Sequence, residues 1–268
     1  MTVTRLILLA MLAAVLARPS AAQDPQNDAM LRAITGNAGA PAGRDVHYFE
    51  ADPAATGYLA VPEGEGPFPA VILIHEWNGL VERIKQTADA FAEQGYVAFA
   101  ADLYGGRTGA TRDENVELMQ AARADQQKII DNLDAAVAWV DAHTPATGKT
   151  ATVGWCFGGG IALSYALGSD RHDGTAIFYG SLIDDPEQMQ HIHHEVYGTF
   201  AENDRGIPVE QVNDFVDALR EAGVENDVHI YDNVNHGFWL HVDRDPENNR
   251  PAAEHAWDRL KAYLGRVL

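Results

Sequence analysis

Unbroken apolar runs separated by stretches of helical spacing dominate the chain from residue 70 onward. Residues 70–74 read Ala-Val-Ile-Leu-Ile, with no polar alternation, as a strand buried on both faces would. Residues 97–100, 150–153, 176–179, 196–200 and 228–231 repeat that theme. Between them, residues 80–94, 113–122, 124–143, 158–167, 208–222 and 252–264 carry helical periodicity. In 124–143 the apolar positions Ile129, Ile130, Leu133, Val137 and Val140 fall on one stripe, and Gly95 stops the first helix. Strands alternating with helices predict an α/β fold, with a mostly parallel central sheet flanked by helices on both faces. In such sheets chemistry sits beyond the carboxyl ends of the strands. Residues 46–50 and 57–61 predict a short antiparallel pair joined across Asp52-Pro53. Residues 23–45 are polar and rich in Gly, Ala, Pro and Asn, and read as a flexible lead-in. One domain over 46–268 is the expected organisation, since sheets of this kind often reach this size undivided.

The first residues follow a different rule. Arg5 precedes an apolar run from Leu6 to Leu16, and small residues follow at Ser20-Ala21-Ala22. A run this short falls below the roughly 20 residues a membrane span needs. It reads as a secretory signal peptide over 1–22, cut after Ala22; the alternative is an uncleaved anchor. The expected location is therefore exported, periplasmic or secreted. Processing would remove Arg5 and Arg18 and no acid, taking the formal net charge from −20 to −22. Such a surface repels nucleic acid and anionic lipid. The expected partner is a small molecule, with no membrane contact after cleavage. The sequence leaves the oligomeric state open, a monomer being the expectation.

There is one cysteine, Cys156, so an exported chain would have no internal disulfide. Its context is Gly154-Trp155-Cys156-Phe157-Gly158-Gly159, directly after a predicted strand and opening a predicted helix. That is a nucleophile elbow with cysteine in the serine place. The turn is so sharp that side chains two residues either side of the nucleophile would collide. The following helix points its positive end at the thiol, which favours thiolate, and the Phe157 amide can face a developing oxyanion. A buried structural cysteine is the plain alternative. Asp204 and His236 each follow a later strand, giving the order nucleophile, acid, base. Glu202 stands two positions from Asp204 and could serve instead. Residues 75–80, His-Glu-Trp-Asn-Gly-Leu, end the first buried strand with an acid, Glu76, aimed at the same region.

Taken together, His75–Gly79, the Asp102-Leu103-Tyr104-Gly105-Gly106-Arg107 segment, the Cys156 elbow, Asp204 and Asn235-His236-Gly237-Phe238 resemble the dienelactone hydrolase family. The likeness covers nearly all of the chain from about residue 46 onward. It implies an α/β-hydrolase fold and a cysteine nucleophile that rests as a neutral thiol until Glu76 takes its proton. It also implies an oxyanion hole built from the amides of Trp77 and Phe157. His236, held by Asp204, would help expel the leaving group and then activate water. The expected activity is hydrolysis of a carboxylic ester or lactone through a cysteinyl acyl-enzyme. The alternatives are a ligand-binding or sensing protein on a hydrolase scaffold, and a redox thiol, which would lack a resolving cysteine.

The resemblance departs where the family's substrate clamp would be. Arg107 can stand for one of two clamp arginines, with an extra glycine shifting its register; the other position is Leu240. Tyr104, Trp155, Phe238 and Trp239, beside Trp77 and Phe157, suggest aromatic walls for a neutral or weakly anionic apolar substrate. His191, His193 and His194 invite a metal reading, but three clustered histidines without a fourth ligand are usually a solvated loop. No metal or other cofactor is expected. Residues 241–250 read as a surface connection or a lid over the site mouth.

Overall fold

A computed structural model describes residues 29–268. The signal-peptide reading of 1–22 lies outside the described residues. Eight strands form one sheet: β1 (Arg44–His47), β2 (Thr56–Ala60), β3 (Phe68–Ile74), β4 (Val97–Ala101), β5 (Ala146–Trp155), β6 (Gly174–Phe178), β7 (Val196–Ala201) and β8 (Asn226–Tyr231). Their order is β1-β2-β4-β3-β5-β6-β7-β8. The first two strands pair antiparallel, as does β2 with β4, and every later pairing is parallel. The helices are α1 (Ala29–Ile34), α2 (Glu82–Glu93), α3 (Arg112–Arg123), α4 (Gln126–His143), α5 (Phe157–Gly168), α6 (Pro186–Met189), α7 (Val209–Glu221) and α8 (Pro246–Val267).

The central strands carry apolar side chains on both faces because both faces are covered. In β3, Val71 and Leu73 join one core with Phe91 of α2 and Trp257 of α8. Ile72 and Ile74 join the other with Leu133 and Val137 of α4. That is why no alternation is visible along residues 70–74. β5 begins earlier than its apolar run, at Ala146, since Phe68 N–H bonds the Pro145 carbonyl (2.8 Å) and draws the chain into register.

Two stretches read as irregular carry regular structure. Within the supposed flexible lead-in, residues 29–34 form a helix whose Met30, Ala33 and Ile34 are fully buried, and β1 already starts at Arg44. Arg83 of α2 donates to the Ile34 carbonyl at 3.0 Å and so helps fix that helix. The supposed lid or surface connection of 241–250 is a single 3-10 turn, Val242–Arg244, running into α8 at Pro246. Val242 and Asn249 are buried. Pro246 and Pro251 hid this early start: Pro246 stands at the first helical position, where proline is accommodated, and Pro251 lies inside the helix. Among the described residues no helix is long and apolar enough to cross a membrane.

Candidate active site

The thiol is delivered by strain. Cys156 sits between β5 and α5 at φ 56°, ψ −113°, a conformation that L side chains rarely adopt. The turn is tight enough that a Cβ on Gly154 would stand 2.1 Å from the Gly158 carbonyl oxygen. One on Gly158 would stand 2.1 Å from that of Ile74. Glycine is therefore required on both sides, which lifts the half-buried sulfur above the sheet end. Phe157 is the first residue of α5, where a helix leaves its amides without internal acceptors.

The imidazole comes from the loop after β8. His236 Nδ1 lies 2.6 Å from Asp204 Oδ2, and Cys156 is near enough to act on the charge of the same ring. Asp204 itself is anchored by amides: its Oδ1 accepts from Gly206 N (2.8 Å) and Ile207 N (3.3 Å). Burial works against its charge, but His236 and these amides outweigh it and hold its carboxyl below the ordinary range. Burial also works against a charged His236. Asp204 and then Cys156 prevail, pushing the imidazole up to about 10. The nearby Glu202 is occupied elsewhere, accepting the Asn233 amide at 2.9 Å. The loops after β7 and β8 are themselves joined, Asn203 N to the Val234 carbonyl (3.1 Å), which ties the Asp204 loop to the His236 loop.

Glu76, at the end of β3, points to a partner that sequence reasoning did not name. Its Oε2 lies 2.6 Å from His241 Nε2, and both side chains are largely shielded from water. Behind it, fully buried His75 donates from Nδ1 to the Glu76 carbonyl (2.6 Å) and accepts the Leu103 amide at Nε2 (3.2 Å). Those partners fix one neutral tautomer, and burial lowers the ring's pKa. Through them the turn carrying Glu76 and Trp77, closed by Gly79 N to the Glu76 carbonyl (3.2 Å), is tied to the end of β4.

Comparison with known proteins gives the family of the chain. The profile of the dienelactone hydrolase family matches residues 55–268. The chain belongs to that family. A carboxymethylenebutenolidase candidate of Yersinia pestis is 30% identical over 218 residues, 76% of this chain and 80% of its own length. One of Methylorubrum extorquens is 27% identical over 226 residues, covering 80% and 77%. A dienelactone hydrolase-like promiscuous phosphotriesterase from metagenomic libraries shares the fold at TM-score 0.75 and 23% identity, over 85% of this chain and 99% of that one. A candidate dienelactone hydrolase of Klebsiella pneumoniae superposes at TM-score 0.73 and 21% identity, covering 84% and 98%.

Within this dienelactone hydrolase fold, several predicted substrate contacts fall away. Trp155 and Trp239 are fully buried and stack on each other with centroids 5.6 Å apart; Phe238 is 1% exposed. They form the packing behind the site rather than its walls, because residues flanking the elbow and the histidine point back into the sheet–helix core. Arg107 is solvent-exposed and paired with Glu117 at 3.2 Å. Tyr104 is packed against His75 (4.6 Å between rings) and Phe157 (5.6 Å), and its pKa is raised by burial and then by the charge of Cys156. Another cation lies nearer the elbow: the Arg123 guanidinium sits 5.6 Å over the Phe157 ring. The histidine cluster is divided. His194 Nε2 turns inward to Thr175 Oγ1 (2.8 Å), while His191 and His193 are exposed. Among the described residues no three His, Cys, Asp or Glu side chains are grouped to hold a metal ion.

Tyr179 and His241 are the site residues the sequence did not reveal. Tyr179 has φ 40°, is fully buried, and lays its ring 5.0 Å from that of His236. A tyrosine at a strand end is ordinary in sequence. Only the neighbouring Gly180, where a Cβ would stand 2.3 Å from Gly159 and Gly160 backbone atoms, hints at its constrained place.

Proposed function

We propose that this protein hydrolyses a carboxylic ester or lactone through a Cys156–His236–Asp204 triad and a cysteinyl acyl-enzyme. The observation that carries the reading is the 2.6 Å bond between Asp204 and His236 Nδ1, with that imidazole within electrostatic reach of a sulfur held at a strained elbow. Family membership and the lactone-cleaving names of the relatives set the substrate class.

In this reading the thiol proton passes to Glu76, and the thiolate attacks the carbonyl carbon. The developing oxyanion is received by the amides of Phe157 and Trp77. Protonated His236, its pKa held near 10 by Asp204 and Cys156 against burial, gives its Nε2 proton to the departing alkoxide. The neutral imidazole then takes a proton from water. The hydroxide attacks the thioester, collapse expels the Cys156 thiolate and releases the acid, and the sulfur takes its proton back from Glu76. Tyr104 and Trp77 stand beside the acyl group, and Arg107 contributes nothing from its surface ion pair. Export through the segment 1–22 belongs to the same proposal, and intact mass of the secreted protein should begin at Gln23.

The test is turnover of aryl esters and lactones, with mass spectrometry for an acyl group on Cys156. Cys156→Ala should abolish hydrolysis and the adduct while its melting curve stays that of the parent. Full activity in Cys156→Ala would overturn the proposal. Tight ligand binding without any adduct would instead point to a sensing protein on this scaffold.

A further inference from the structure

Two groups of the site hang from one short loop. Residues 236–241 carry the Asp204-oriented imidazole at one end and, at the other, His241, whose Nε2 lies 2.6 Å from Glu76 Oε2. The Glu76 side chain is 8% exposed and that of His241 15%, so their bond is sheltered from the solvent that would weaken it. The loop between them is pinned from several elements. Leu240 N donates to Tyr179 Oη (3.3 Å), the Leu240 carbonyl accepts from Arg83 Nη1 (3.0 Å), and His241 N bonds the Gly237 carbonyl (3.1 Å). From α8, Asn249 Nδ2 donates to the His241 carbonyl at 3.3 Å. Tyr179 in turn is fixed by its own amide to the Thr199 carbonyl (2.8 Å), and its phenol lies within electrostatic reach of both Glu76 and Cys156.

We infer that His241 is a positioning residue for Glu76, and that the pinned 236–241 loop sets the carboxylate and the catalytic imidazole as one unit. The inference rests on the reading of Cys156 as nucleophile and Glu76 as acceptor of its proton. While Glu76 bonds His241, it is held back from the thiol, and it must leave that partner to accept the proton from sulfur. The other charged and titratable groups around the pair are Asp243 and Arg244 from the 3-10 turn, Arg83 bound to Asp243, Tyr179 just after β6 and His75 just after β3. Because His241 and His236 stand on the same pinned loop, a change at the Glu76 bond is felt at His236 through that backbone. The first proton transfer and the later hydrolysis of the thioester are coupled by one piece of backbone.

The experiment reads Cys156 directly, by its rate of alkylation with iodoacetamide followed by intact mass, beside ester turnover. His241→Leu, which cannot donate to the carboxylate, should raise the alkylation rate about tenfold, because an unrestrained Glu76 reaches the thiol proton. It should also lower kcat more than it changes KM, because the loop loses its tether. His241→Gln, which keeps a donor, should restore both values to within about threefold of the parent. In the Glu76→Gln/His241→Leu double variant, alkylation should match Glu76→Gln alone. An alkylation rate unmoved by His241→Leu, or one raised equally with Glu76→Gln in place, overturns the inference. If His241→Leu fails to fold, His241→Asn, too short to reach the carboxylate, replaces it. A parent protein that forms no acyl-Cys156 defeats the functional reading, and the alkylation series still decides the role of His241.

Discussion

Replacing Asp204 by Asn isolates the electrostatic work of the acid while keeping its shape. In the parent, His236 titrates near 10 rather than 6.5, burial opposing the charge and Asp204, then Cys156, overcoming it. A hydrogen bond to a charged partner contributes about 1.5–3 kcal/mol, or roughly one to two pH units. The His236 side chain is 40% exposed, so solvent screening places the loss at the lower end, about one unit. The amide nitrogen of Asn would also face Nδ1 as a donor and favour the wrong tautomer, a defect that costs about 10⁴-fold in kcat in a serine triad. The assay is a histidine NMR titration of His236 combined with kcat/KM on an aryl ester. Asp204→Asn should lower the midpoint by about one unit and the rate by at least 10³-fold. Glu202→Gln is the control. Because the Glu202 carboxylate is engaged by the Asn233 amide, it should leave the midpoint in place and the rate within about twofold. A midpoint unmoved in Asp204→Asn, or a rate within tenfold of the parent, would refute the assignment.

Two further outcomes follow from burial. His172 and His194 are pushed down to about 3 and about 4 chiefly by desolvation, so each is neutral in the fold and charges more easily when unfolded. Stability from them is present above pH 6.5 and is lost as pH falls towards 4, by up to ~1.4 kcal/mol per pH unit for each ring. Melting temperature followed from pH 7 to pH 4.5 should fall less steeply in His172→Gln, and parallel slopes would count against this origin. Trp239→Leu should lower stability by about 2–4 kcal/mol, through the lost stack on Trp155 and Phe178, with KM little changed. A large KM effect at unchanged stability would return that side chain to the substrate wall.

What the sequence made legible was whatever is written in local spacing. The unbroken run at residues 70–74 marked a doubly covered strand, and the glycines around Cys156 marked the elbow, because each pattern is enforced by contacts of fixed chain separation. Asp204 and His236 were found by their places after strands. The partner of Glu76 was not, since its bond to His241 spans 165 residues and the donor lies in a polar stretch that resembles a loop. The aromatic residues misled for a related reason. Trp155 adjoins Cys156 and Trp239 is three residues from His236, yet both side chains enter the core behind the site. Ala29–Ile34 was missed because six residues are too few to establish a period, and its burial depends on α2.

Arg83 gives that small helix a bearing on reactivity. One guanidinium nitrogen holds the Ile34 carbonyl, the Leu240 carbonyl and the Asp243 carboxylate together. The family match starts at residue 55, after both α1 and β1. A chain trimmed to that boundary would bare the apolar seat of Met30 and Ile34, and would leave the histidine loop hanging from a cation that had lost one of its three moorings. Trimming at a distance from the sulfur would thus reach the chemistry through a single side chain.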